Sequence, residues 1–250
     1  MAGHSKWANI KHRKAAQDAK KGREFQKHVR AIMVAAREGG GDPSMKIRLK
    51  AAIDRAKAVN LPADSIEKAV KKGTGDLEGV RYEEVVYEGY GSGGVAVLVE
   101  TLTDNKNRTA SEIRHLFSKN GGSLGESGCV SWLFERKGIL FVRGDDLDED
   151  ALLSACLESG AEDLSKDAGG FTVTTNPSVL PDVREKLEAL GYTVEKAELD
   201  MIPGNYVAIR TKEDAAKILR FMDALEEHDD VQNVYANFDI ADEMIEEIAG

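Results

Sequence analysis

The apolar pattern of this chain changes period near residue 80, and its charge changes sign at the same place. Before that point apolar residues recur at helical spacing. After it, short β-prone runs alternate with helical ones, punctuated by glycine clusters. One packing layer cannot serve both patterns, so the sequence predicts an α+β multidomain protein with an N-terminal helical domain followed by two α/β domains. A length of 250 residues accommodates two or three small domains.

The first 79 residues hold 18 Lys and Arg against 9 Asp and Glu, a balance of +9; the rest hold 16 against 35, a balance of −19. A basic lobe on an acidic body is attracted to a polyanion in one orientation only. The competing reading is an ordinary solvated helical surface. No apolar run approaches the roughly 20 residues of a bilayer span, and the basic start reaches no apolar signal segment, so no membrane partner and a cytoplasmic location are expected. Cys129 and Cys156 lack ligand-spaced neighbours, and the five histidines form no zinc-type pair; neither metal nor cofactor is expected.

Residues 21–37 place Phe25, Val29, Ile32, Met33 and Ala36 on one helical stripe, with Arg23, Lys27, Arg30 and Arg37 on the opposite side as a cationic ridge free for a partner. Two further helices follow, one carrying Leu49, Ile53 and Ala56, the other beginning near Pro62 and running through Ile66 and Val70. Lys68, Lys71 and Lys72 crowd the end of the second, where complementing the helix dipole is sufficient reason for them. Ahead of these helices lies an arm with Lys6, Trp7, Lys11, His12, Arg13 and Lys14. Its cations suit phosphates. Trp7 suits either stacking on an unpaired base or anchoring the arm to the fold.

Beyond residue 80, Gly89, Gly91 and Gly94 fit a dinucleotide-binding spacing, yet the chain continues into a strand rather than a helix, which points to a hairpin loop. Thr109 and Glu112 form a capping box for the next helix, leaving Lys106 and Arg108 as spare cations. A flexible glycine loop over 121–128 then leads to a strand over 130–134. Residues 136–202 read β-α-β-β-α-β, a ferredoxin-like domain; 80–135 with 203–240 form the discontinuous domain into which it is inserted, and 241–250 are an acidic tail. No catalytic constellation is present, so a non-enzymatic protein is expected.

Several separated stretches carry a family resemblance: residues 1–12, Gly39-Gly40-Gly41-Asp42-Pro43, Tyr87-Glu88-Gly89-Tyr90-Gly91, Thr103-Asp104-Asn105-Lys106-Asn107-Arg108-Thr109 and Gly121-Gly122-Ser123-Leu124-Gly125. In this order they resemble the YebC family, which includes a mitochondrial translational activator of cytochrome oxidase. The resemblance implies three domains and a role in gene expression, either as a DNA-binding transcriptional regulator or as a translation factor helping ribosomes through difficult stretches such as proline runs. Both roles need polyanion binding. The preferred partner is ribosomal RNA, with the ribosome; double-stranded DNA is the alternative, and an acidic protein-protein adaptor the third. The candidate contacts are the arm, the ridge, and Lys106 with Arg108.

Overall fold

The computed structural model describes residues 18–39, 47–75, 81–144, 146–167 and 169–241, together with Met244, Glu247 and Ile248. The arm with Lys6, Trp7, Lys11, His12, Arg13 and Lys14 lies outside these residues. Among them, no helix is long and apolar enough to cross a membrane.

The head consists of helices α1 (Asp18–Gly39), α2 (Ile47–Ala58) and α3 (Ala63–Thr74). The predicted stripe is its core: Ile32, Met33 and Ala36 pack with Leu49, Ile53 and Ala56 of α2 and Ile66 and Ala69 of α3, while Phe25 and Val29 flank it half-buried. Asn60, at φ 61°, closes α2 in the left-handed conformation that asparagine tolerates. Gly73 faces Met33 and Ala36 so closely that a methyl group there would meet the backbone of α1; its missing side chain sets the α1 to α3 distance.

The second unit begins with a hairpin, β1 (Glu83–Tyr90) and β2 (Ala96–Thr103), whose turn uses Gly93 and Gly94 at positive φ. The glycine run is therefore a strand connection, as its sequence context predicts. Helix α4 (Lys106–Lys119) and the short strand β3 (Ser123–Leu124) follow. Here the structure corrects two expectations. The cap of α4 is Asn105, whose side chain accepts from the Arg108 amide, so Thr109 falls in the first turn and turns inward. Residues 131–133 form a single 3-10 turn in place of the expected strand. The 121–128 loop is tied down, because β3 pairs with Gly89 and Tyr90 of β1.

Strand β4 (Phe134–Arg143), helix α5 (Glu149–Ser159), β5 (Asp163–Asp167), β6 (Gly170–Thr175), helix α6 (Leu180–Ala189) and β7 (Thr193–Pro203) come next. They make one antiparallel sheet in the order β5-β6-β4-β7, the ferredoxin-like arrangement. Leu140, Val142, Phe171 and Val173 meet Leu152, Cys156, Val183 and Leu187 of its helices.

The chain then returns with β8 (Val207–Ile209), helix α7 (Lys212–Glu226), β9 (Val231–Ala236) and β10 (Phe238–Ile240). Strand β9 completes the sheet β3-β1-β2-β9, and β8 pairs in parallel with β10. Helices α4 and α7 cover one face through Ile113, Phe117, Ile218, Phe221 and Met222, with Phe117 and Phe221 edge to face at 4.9 Å between centroids. The other face, Ala96 and Leu98, is covered by Val130 and Phe134. That double cover explains why β2 reads as nearly unbroken apolar sequence.

Gly89 shows how tightly the loop is seated. A methyl group there would lie 2.7 Å from the Phe117 ring and closer still to the Ser123 carbonyl oxygen. Gly89→Ala is expected to lower stability by about 2 kcal/mol through overpacking, read as a shift of the urea midpoint. An unchanged midpoint would mean that β3 does not press on β1.

Candidate nucleic-acid interface

The α1 ridge is the predicted polyanion site, and the fold engages three of its four cations, two of them half-buried. Helix α7 ends at Glu226 with its last carbonyls pointing toward α1. Lys27 Nζ donates to the Glu226 carbonyl oxygen at 2.8 Å, and Arg30 donates to that of Asp229. Lys27 thus satisfies a carbonyl that helix geometry leaves open at the negative end of the dipole, and Arg30 bonds the turn just beyond it. Arg37 donates to the Tyr82 carbonyl at 3.3 Å, and the Arg30 guanidinium lies 5.3 Å from the centre of the Tyr82 ring. The expected free ridge is corrected accordingly: Lys27, Arg30 and Arg37 attach the head to the second unit. Helical spacing identifies which residues share a face, but what covers that face is a long-range matter.

Asp230 is the centre of the junction. Its side chain is 4% exposed. One carboxylate oxygen accepts from Arg30 at 3.0 Å; the other accepts from Arg108 at 2.6 Å and the Thr109 hydroxyl at 2.7 Å. Burial pushes its pKa up, but these hydrogen bonds and the two guanidinium charges outweigh that and hold it below the ordinary aspartate value. The Arg108 pKa is raised, chiefly by its hydrogen bond to Asp230. Arg108 also contacts Asp104 at 3.0 Å, and Lys106 forms an ion pair with Glu83 at 2.5 Å. The two cations that looked spare in sequence therefore have partners in the fold.

Around this junction lies a cleft of about 570 Å³ lined by Arg23, Tyr82, Asp104, Glu112 and Glu227 as well as the paired groups. Glu112, His228 and Asp230 bring ligand-type atoms within 4.8 Å of one another. Their hydrogen bonds argue against metal coordination there. His228 Nδ1 accepts from the Asp230 amide at 3.1 Å, so Nε2 carries the ring proton and faces Glu112 at 2.9 Å, while both Asp230 oxygens are already engaged. The arrangement holds two domains together.

Sequence reasoning missed Asp230. A signal for it exists: Glu226, Glu227, Asp229 and Asp230 crowd the end of a predicted helix, where carboxylates oppose the dipole unless cations from elsewhere neutralise them. It also missed Glu88, which is 5% exposed and accepts from the amides of Gly128 at 2.7 Å, Val130 at 2.9 Å and Ser131 at 2.7 Å. Burial raises its pKa, but these three donors more than offset that and leave it lowered.

Positive charge without internal partners lies elsewhere on the head. Among the described residues, Arg23, Lys50, Arg55, Lys57, Lys68 and Lys72 make no hydrogen bond or ion pair. All six are exposed. Lys50 and Lys57, two turns apart, share a flank of α2; Lys68 and Lys72, one turn apart, point away from the core on α3. Lys71 instead pairs with Glu67 at 2.5 Å.

Comparison with known proteins agrees with the sequence motifs. The model of the TACO1/YebC protein N-terminal domain matches residues 5–76, and that of the TACO1/YebC second and third domain matches residues 82–238. The chain belongs to the TACO1/YebC family. A family member from Halothermothrix orenii, called a probable transcriptional regulatory protein, is 57% identical over 250 residues, 99% of each chain. One of the same description from Persephonella marina is 53% identical over the full length of both. The crystal structure of a conserved hypothetical protein from Aquifex aeolicus superposes with a TM-score of 0.79 at 49% identity, covering 90% of this chain and 93% of that one. The α+β multidomain fold is thus common to this chain and a solved structure.

Proposed function

We propose that this TACO1/YebC-family protein is a non-enzymatic, cytoplasmic regulator of gene expression that binds nucleic acid through its helical head. The observation that supports this most is the location of the uncompensated charge. Lys27, Arg30 and Arg37 are engaged by the body, whereas Lys50, Lys57, Lys68 and Lys72 stay free on the outer surface of the head. The arm residues Lys6, Trp7, Lys11, His12, Arg13 and Lys14 extend the same cationic segment in sequence. The body's net charge of −19 from residue 80 onward orients the head toward a polyanion.

The target we favour is ribosomal RNA, with the protein acting as a ribosome-associated translation factor that eases elongation through proline-rich stretches. Helices α2 and α3 contain no Asn or Gln to read base edges. Their lysines suit phosphates and shape better than sequence. The second reading, a double-stranded DNA-binding transcriptional regulator, is favoured by the names of the relatives.

A salt titration tests the polyanion contact. With about six phosphates neutralised, log affinity falls against log salt with a slope of about −4 to −5. Reversing Lys50, Lys57, Lys68 and Lys72 to glutamate is expected to flatten that slope by about 3 to 4 and to leave the thermal midpoint nearly unchanged, because exposed charges contribute little to stability. An unaltered slope would remove these helices from the interface. Co-sedimentation with large ribosomal subunits supports RNA, and retention on the nucleoid supports DNA.

A further inference from the structure

Trp132 is 74% exposed, the largest value for any large apolar side chain among the described residues. It is nevertheless held in place. Its indole N–H donates to the Cys129 carbonyl oxygen at 3.1 Å, and the phenol of Tyr90, 38% exposed, donates to the same oxygen at 3.2 Å. The backbone beneath is pinned on both sides. Glu88 accepts from the amides of Gly128, Val130 and Ser131, and Gly204 donates to the Leu133 carbonyl at 2.8 Å. A ring fixed outward loses little freedom when a partner covers it, which is the property of a recognition surface.

The surroundings of these rings are acidic. Glu88 and the exposed Glu126 both act on the Cys129 thiol, adding to burial in raising its pKa. Such surroundings repel a phosphate backbone and draw in a cation, and the face of an indole attracts a guanidinium or ammonium group. We propose that Trp132 and Tyr90 form a docking platform for an arginine- or lysine-bearing segment of a basic protein partner. This surface lies outside the head and does not depend on the nucleic-acid reading.

The chain has two tryptophans, so the full-length protein with Trp7→Phe reports on Trp132 alone. The probe is a peptide of alternating arginine and glycine; a single-stranded oligothymidine serves as the competing ligand. The peptide is expected to quench Trp132 fluorescence saturably at about 0.1 M salt. Read by the anisotropy of a dye-labelled copy of the peptide, which needs no tryptophan, Trp132→Ala should weaken its affinity roughly five- to tenfold, Trp132→Phe less, and Glu126→Gln about twofold, all with unchanged thermal unfolding. Reversal of the four head lysines should leave peptide binding intact, which separates failure of this proposal from failure of the nucleic-acid reading. Equal peptide affinity in the parent and Trp132→Ala would overturn the platform, since the acidic body at large would then be the attractant. Quenching by the oligothymidine and not by the peptide would overturn it as well.

Discussion

Replacing Asp230 with alanine is expected to lower the stability of the folded protein by roughly 3 kcal/mol. Removing one member of a buried ion pair costs about 3 to 5 kcal/mol because the other is left uncompensated. Arg30 is the group stranded here, at 15% side-chain exposure; Arg108, at 43%, recovers water and keeps Asp104, which places the effect at the lower end of that range. Arg108→Ala alone should cost under about 1 kcal/mol, since an exposed partner is worth little. The measurement is the urea midpoint together with hydrogen exchange across α1, which should lose protection if the head detaches. A coupling below about 0.5 kcal/mol between Asp230→Ala and Arg30→Met in a double-mutant cycle would show that the two side chains act independently.

The second large effect concerns Glu88. Glu88→Ala leaves the amides of Gly128, Val130 and Ser131 without their acceptor. Each buried unsatisfied donor costs about 1 to 3 kcal/mol, and with water entering to serve some of them a total of about 3 kcal/mol is expected. Glu88→Gln retains one acceptor oxygen but points an N–H pair at other N–H groups, so it should recover only part of the loss. A midpoint for Glu88→Ala equal to that of the parent would mean the loop stands without its carboxylate.

Glu88 and Asp230 also set the acid limit. Both carboxyls titrate below their ordinary values in the folded state. Their stabilisation is therefore complete above the unfolded carboxylate range of about 4, and is lost as pH falls through the depressed folded values. The parent should weaken steeply on acidification below about pH 4. A variant carrying both Glu88→Gln and Asp230→Asn should be less stable at neutral pH but show a flatter acid limb. An equally steep limb would assign the acid sensitivity to other carboxylates.

The junction changes what charge reversal on α1 means. From spacing alone, Lys27→Glu with Arg30→Glu is a binding variant with intact stability. In the structure the same pair places two carboxylates against the carboxyl end of α7 and against Asp230, so it tests docking of the head. The outer lysines of α2 and α3 are the cleaner test of nucleic-acid contact, although in sequence those of α3 are accounted for by the helix dipole.

Residue order and period determined the elements: the stripe of α1, the hairpin glycines and the β-α-β-β-α-β run are local patterns, and local backbone preferences are enough to express them. The same is true of the charge asymmetry, which is simple arithmetic along the chain. Only the tertiary structure decided which cations remain available, because the partners of Arg30 and Lys27 lie about two hundred residues further along the chain. It likewise decided that Trp132 faces outward while Glu88, a charged residue in an exposed-looking strand, is buried. Burial belongs to surfaces brought together by the fold, and a sequence carries no record of distance across it.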